Sequence, residues 1–182
     1  TADTPTPVTV AVDEAYYEFG GETLIGLRHR YRNLVVVRTT SKAFALAGAR
    51  VGFGVADRSV IQRLERVRPP GSVSTISAHV AALAFRSPQY ALDNVAVLSA
   101  EREWLAAGLA SRGWQSAPST TNFLLVKIGD HDAAERAADG LLHSGIVPRT
   151  FGPANPLRGN LRLTVRSRAE NERLLEVVGR LT

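Results

Sequence analysis

Lys42 is one of only two lysines in a chain of 182 residues, the other being Lys127. It follows three hydroxyl residues, Thr39, Thr40 and Ser41, and precedes Arg50, which stands between Gly48 and Gly52. Asp13 and Tyr16 close an earlier apolar run, "VTVAVDEAY". These residue types carry chemistry when they converge. An amine bonds covalently to an aldehyde once burial or neighbouring cations depress its pKa. A carboxylate keeps a ring nitrogen protonated, a phenol donates to an anionic oxygen, and hydroxyls with a guanidinium fork grip a phosphate.

The elements that must position these groups are read from periodicity and breakers. Val8 to Tyr16, Asn33 to Thr40 and Arg50 to Ala56 are short β-rich apolar runs, expected as strands of a mostly parallel sheet. "RSVIQRLERVR" has helical periodicity and stops at Pro69-Pro70; "STISAHVAALAFRS" is a helix opened by Ser/Thr caps. A long helix is predicted from about Tyr90 to Arg112, with Leu98, Trp104, Leu105 and Leu109 on its apolar side. Beyond it, "TNFLLVKI", "IVPRTF" and "NLRLTV" read as strands, and "DAAERAADGLLHSG" and "RAENERLLEVVGRL" as helices. The alternation predicts an α/β fold throughout. The change of texture predicts two domains, residues 1–95 and 96–182.

In this layout Asp13 and Tyr16 follow the first strand, Thr39, Ser41 and Lys42 follow the second, and Arg50 opens the third. Open α/β sheets hold their ligands at strand ends. The group of residues matches what pyridoxal 5'-phosphate requires: Lys42 for the Schiff base, and a buried Asp13 against the pyridine nitrogen. Tyr16 would serve the phenolate oxygen, and Thr39, Ser41 and Arg50 the phosphate. Thr39 and Ser41 also read as helix caps, which is compatible with anion binding at a helix start.

"AVDEAYYEF" followed by "TTSKAFALAGARVGF" resembles the fold-type I pyridoxal-phosphate aminotransferases, and most of all the histidinol-phosphate aminotransferase group. The likeness continues in family order through "RPP" (Arg68 to Pro70), "PSTTNFLLV" (Pro118 to Val126), "GIVPR" (Gly145 to Arg149) and "LRLTVRSRAEN" (Leu161 to Asn171). Thr40 and Arg166 depart from the family's usual residues, as does Gly71 after "RPP". The resemblance implies that residues 1–95 are part of a cofactor-binding large domain and residues 96–182 a smaller α/β domain. It implies catalytic Lys42, Asp13 and Tyr16, phosphate anchors Thr39, Ser41 and Arg50, and substrate-binding Arg162 and Arg149. It further implies transfer from histidinol phosphate to 2-oxoglutarate, and a homodimer. An aromatic-amino-acid aminotransferase or a threonine-phosphate decarboxylase of the same fold, or a non-catalytic regulatory module, are the alternative readings.

Composition excludes more than it selects. With no cysteine, disulfide and thiolate chemistry are absent. The net charge of +5 comes from arginines spread along the chain among acidic residues, which argues for solvated helix faces rather than nucleic-acid binding. No apolar run is long enough to span a bilayer, and the start "TADTPTPVTV" lacks the pattern of a secretory signal. A cytoplasmic protein with small-molecule partners is therefore expected. His29, His79, His131 and His143 show no metal-ligand spacing. There is no methionine, even at position 1. The expectation is a piece of a longer protein, without the half that in the family completes the cofactor site.

Overall fold

The computed structural model describes residues 8–182. They divide into two compact units, one up to Val95 and one from Ala96 to Thr182. Among the described residues, no helix is long and apolar enough to cross a membrane.

The first unit is built on three strands, β1 (Val10–Asp13), β2 (Leu34–Thr39) and β3 (Gly52–Ala56), in the order β1-β2-β3. β2 is central. Its run of Leu34, Val35 and Val36 is buried on both faces, whereas most of β1 and β3 is exposed. β1 pairs with β2 in parallel, Val10 opposite Leu34 and Asp13 opposite Val37. β3 pairs with β2 antiparallel, Thr39 opposite Gly52 and Val35 opposite Ala56. The expected mostly parallel sheet is thus mixed within these residues. The reason lies in the connection. A parallel return needs a crossover, usually helical, but residues 40–51 hold only turns and a 3-10 turn at Ala47–Ala49. Gly52 permits the return, because a Cβ there would lie 3.1 Å from the Arg38 carbonyl oxygen.

Two helices follow. α1 (Arg58–Val67) starts where Asp57 accepts from the Ser59 N–H at 2.9 Å. α2 (Thr75–Arg86) starts where the Ser74 hydroxyl accepts from the Ser77 N–H at 3.0 Å. Phe85 of α2 meets Phe44 and Phe53 edge-on, with ring centroids 5.3 and 5.4 Å apart. Each such pair contributes about 0.5–1.5 kcal/mol beyond area burial. With Ala43 fully buried and Phe44 nearly so, the loop carrying Lys42 is anchored by the residues that follow it.

The long helix α3 (Pro88–Ala110) crosses the boundary between the units. The second unit has an antiparallel sheet, β4 (Gln115–Ser116), β5 (Phe123–Lys127) and β6 (Asn160–Thr164), with helices α4 (His131–His143) and α5 (Arg168–Leu181). Alternation on β5 and β6 sends Leu124, Val126, Leu161 and Leu163 inward. There they pack with Leu105 and Leu109 of α3, Leu141 of α4, and Leu174 and Val178 of α5. Asp130 caps α4 through the Ala133 N–H, and Glu170 accepts from both the N–H and the hydroxyl of Ser167 at the start of α5. Buried Asn171 is satisfied: its oxygen accepts from Arg166 N, and its amide donates to Glu101 and to the Arg166 carbonyl.

"IVPRTF", expected as a strand, forms only a single antiparallel bridge, Arg149 to Arg162. Pro148 has no N–H to extend the ladder. The two-residue β4 was not foreseen, because nothing in "WQSAPS" alternates.

Candidate functional site

The ends of β1 and β2 and the start of β3 lie at one edge of the first sheet because β3 runs back against β2. A parallel third strand would have opened at the opposite edge. At this edge lies a cavity of about 420 Å³ whose lining includes Asp13, Thr39, Ser41, Lys42 and Arg50. Its size falls within the usual range of small-molecule sites, about 300–1,000 Å³. Of the six residues expected to meet a cofactor, five line this cavity. The sixth, Tyr16, places its ring centroid 5.6 Å from Lys42 Nζ.

Each group is set by local structure. Asp13 ends β1, and its Oδ1 accepts from the Ala15 N–H at 2.9 Å. Contrary to expectation Asp13 is exposed rather than buried, because β1 is an edge strand among the described residues. Tyr16 precedes a 3-10 turn, Tyr17–Phe19, and its ring tilts against Phe19 at 5.8 Å. The Thr39 hydroxyl accepts from the Ser41 N–H at 3.1 Å and lies 2.8 Å from Ser41 Oγ and 3.2 Å from the Val51 carbonyl. Thr40 is fully buried and gives its hydroxyl to the Val51 carbonyl at 3.1 Å.

Lys42 itself is half-buried and, among the described residues, has no carboxylate within ion-pair distance. The loop beyond it is closed by Ala45 N to the Lys42 carbonyl and Leu46 N to the Thr40 carbonyl. Ala45 and Arg50 both adopt φ of 56°, in the left-handed region. Side chains other than glycine disfavour that region by about 1–2 kcal/mol. Such strain collects where geometry serves a site, and here it turns the chain back so that Arg50 reaches the cavity. Its Nη1 donates to the Ala47 carbonyl at 3.1 Å. No α-helix follows Lys42, so Thr39 and Ser41 are not helix caps. The cradle is a strand end and a turn.

A second arrangement lies in the second unit. Arg149 and Arg162 exchange both backbone hydrogen bonds, at 3.0 and 2.9 Å, across their antiparallel bridge. Directly opposed residues project to the same face. Both are exposed, and among the described residues neither has an ion-pair partner. Arg162 rests on the Phe123 ring, 5.0 Å from its centroid. Like charges opposite one another cost stability, so the pair is suited to an anion that bridges them.

Residues 6–178 match the family described as aminotransferase class I and II. The chain belongs to that family. It is 40% identical over 167 residues to histidinol-phosphate aminotransferase of Thermoanaerobacter pseudethanolicus, covering 91% of this chain and 46% of the relative. It is 43% identical to histidinol-phosphate aminotransferase of Nocardia farcinica, covering 94% of this chain and 43% of the relative. Among solved structures, histidinol-phosphate aminotransferase from Sinorhizobium meliloti in complex with pyridoxal-5'-phosphate superposes with a TM-score of 0.86 at 28% identity. That match covers 94% of this chain and 48% of that one. The chain thus spans about half the length of the relatives it matches.

Sequence reasoning missed Glu14 and Arg38 altogether. Glu14 is the one charged residue buried among the described residues, and it pairs with Arg38 at 2.9 Å. The signal was available: Glu14 lies inside "DEAY" and Arg38 inside an apolar strand, where a charge needs a partner.

Proposed function

We propose that this chain is the lysine-bearing part of a pyridoxal-phosphate aminotransferase, with histidinol phosphate as amino donor and 2-oxoglutarate as acceptor. The observation that carries this reading is the convergence of Asp13, Thr39, Ser41, Lys42 and Arg50 on one cavity, in a chain of the aminotransferase family. The donor set fits the cofactor: one amine, one carboxylate, two hydroxyls and one guanidinium. Pyridoxal phosphate, when bound, supplies an electron sink that stabilises negative charge at a substrate carbon.

The residues divide the remaining work. Lys42 Nζ holds the cofactor and afterwards moves a proton at the substrate's α-carbon, as a positioned general base does. Asp13 Oδ2 keeps the ring nitrogen protonated. The Tyr16 hydroxyl donates to the phenolate oxygen. Ser41, Thr39 and Arg50 hold the phosphate by charge-assisted hydrogen bonds. Arg162 and Arg149 bind the acidic groups of the substrates, the first by its planar fork. A homodimer and a cytoplasmic location belong to the same reading.

Reductive trapping tests it. The chain is mixed with pyridoxal phosphate and reduced with borohydride, and the modified lysine is mapped; selective labelling of Lys42 over Lys127 is expected. Equal labelling of the two lysines defeats the assignment. Amino transfer from histidinol phosphate, compared with phenylalanine and with carbon dioxide release from threonine phosphate, then identifies the substrate.

A further inference from the structure

Arg38 is neutralised inside the first unit. Its Nε and Nη2 donate to Glu14 Oε2 at 3.1 and 2.9 Å, and Glu14 Oε1 accepts from the Leu24 N–H at 2.7 Å. Burial pushes the Glu14 carboxyl up, but the hydrogen bonds from Leu24, Thr23 and Arg38, with the Arg38 charge, outweigh it and hold it below the ordinary range. Among the described residues, the arginines at the other end of β2 have no carboxylate within ion-pair distance.

Three segments bring those arginines together. Arg28 and His29 close a 3-10 turn, Ile25–His29, which packs beside β2 and β3. Arg32 lies two residues before β2. Arg58 opens α1, directly after β3 ends at Ala56 and Asp57 caps the helix. Because β3 returns antiparallel, Ala56 lies opposite Val35 near the start of β2, at the sheet edge away from Lys42. There Arg28, His29, Arg32, Ala56, Asp57 and Arg58 line a cavity of about 240 Å³.

The charges of this lining do not balance: three arginines stand against one aspartate. Arg28 Nη1 donates to the Ile25 carbonyl of its own turn at 3.0 Å. Asp57 is committed to the helix, since its Oδ1 accepts from the Ser59 N–H and hydroxyl at 2.9 and 2.6 Å. Those two hydrogen bonds hold its carboxyl below the ordinary value against the effect of burial, and the Arg32 charge adds to them. Arg58 stands at the positive end of the helix dipole, and the first turn of α1 carries no acidic residue to offset it.

Size and charge select the anion. The excess of two positive charges matches a phosphate group, which carries about 1.5–2 negative charges near neutral pH. Guanidinium forks bind phosphate oxygens in pairs. A single carboxylate leaves one cation uncancelled. The cavity is smaller than the usual site for a drug-sized ligand, about 300–1,000 Å³, which suits a compact anion and not a nucleic-acid strand.

We propose that this cavity binds a compact phosphate group, free phosphate or the phosphate end of a small ester, through Arg28, Arg32 and Arg58. The site is separate from the Lys42 cradle and does not depend on the cofactor reading. The test maps phenylglyoxal modification of each arginine in the 182-residue chain by mass spectrometry. Inorganic phosphate is titrated in place of chloride at constant ionic strength.

Arg28, Arg32 and Arg58 should be protected with one common midpoint, their rates falling about tenfold when phosphate exceeds that midpoint tenfold. Arg30, exposed and stacked on Tyr31, and Arg63, exposed on α1, should react at unchanged rates. No protection, or equal protection of Arg30 and Arg63, overturns the proposal, because salt screening treats exposed arginines alike. Arg58→Gln should weaken protection of Arg28 and Arg32 together; unchanged midpoints there defeat a shared site. Arg50→Gln, in the cradle, should leave all three midpoints where they were, and a shift defeats the separation of the two sites. Glycerol phosphate distinguishes the sources: a lower midpoint than that of inorganic phosphate assigns the ester, and an equal or higher one assigns free phosphate. Stronger protection by acetate, or by a short single-stranded oligonucleotide, overturns the choice of a compact phosphate.

Discussion

The second unit completely buries Leu105, Leu109, Val126, Leu141, Leu161 and Val178, while among the described residues the first completely buries only Val36, Thr40 and Ala43. The first unit leaves Val67, Ile76, Leu83 and Tyr90 at least half exposed, and the second leaves Val97, Leu142 and Val147 so. In the second unit, strands that alternate and helices that pack on one face make a core from side chains that need only be apolar and the right size. In the first, one buried strand supports an edge of polar groups whose positions matter more than their burial. The cavity there is held by hydrogen bonds and by the packing of Ala43, Phe44 and Phe53 beside it. The lesson is that the residues able to do chemistry sit on the less consolidated of the two units.

Substitutions can break this contrast. Leu141→Ala empties a fully buried site in the second unit and should cost about 3–5 kcal/mol. Trp104 and Trp114, the only tryptophans, both lie in that unit, so denaturation followed by tryptophan emission reads it directly. Hydrogen exchange in β1 and β2 should stay unchanged; if it rises, the units are not energetically separate. Arg38→Met strands the Glu14 carboxylate and should cost the first unit about 3 kcal/mol. It should be seen as faster exchange in peptides covering residues 10–39, with the tryptophan transition unmoved.

Acid should sharpen the contrast in the same direction. Because the folded Glu14 carboxyl lies below the ordinary value of 4.5, the unfolded chain takes up its proton first as pH falls. The stabilisation from Glu14 is therefore present above that value and lost as pH drops through the lower folded one. Exchange in β1 and β2 measured across that window should accelerate, and Glu14→Gln should flatten the dependence. The smallest effect should have the opposite sign. Arg149→Gln relieves the opposed guanidinium groups and should stabilise the second unit by a few tenths of a kcal/mol. A loss of stability in urea titration would show that the pair is a structural contact rather than a binding one.

Much of this was legible in the amino-acid order. Apolar runs at strand and helix periods marked β1, β2, β3, β5 and β6 and all five helices to within a few residues, since burial of one face is a local pattern. "IVPRTF" misled because its apolar residues suit a strand while Pro148 withholds a donor. The reading of Thr39 and Ser41 as helix caps failed because no α-helix follows them: both are good caps in type, but their hydroxyls meet each other and Val51 instead.

By itself the sequence determined which residue types are available for chemistry: a nearly unique lysine, a hydroxyl run, an aspartate and a tyrosine after a strand, and the arginines. Their family order was also plain from it. Only the tertiary structure decided that β3 returns antiparallel, bringing Arg50 to the edge that carries Asp13 and Lys42. It alone paired Glu14 with Arg38 across 24 positions, and set Arg149 opposite Arg162. The physical reason is common to all three. Periodicity and capping are properties of neighbours in sequence, whereas strand direction, charge pairing and opposition across a sheet depend on which distant segments the chain brings side by side.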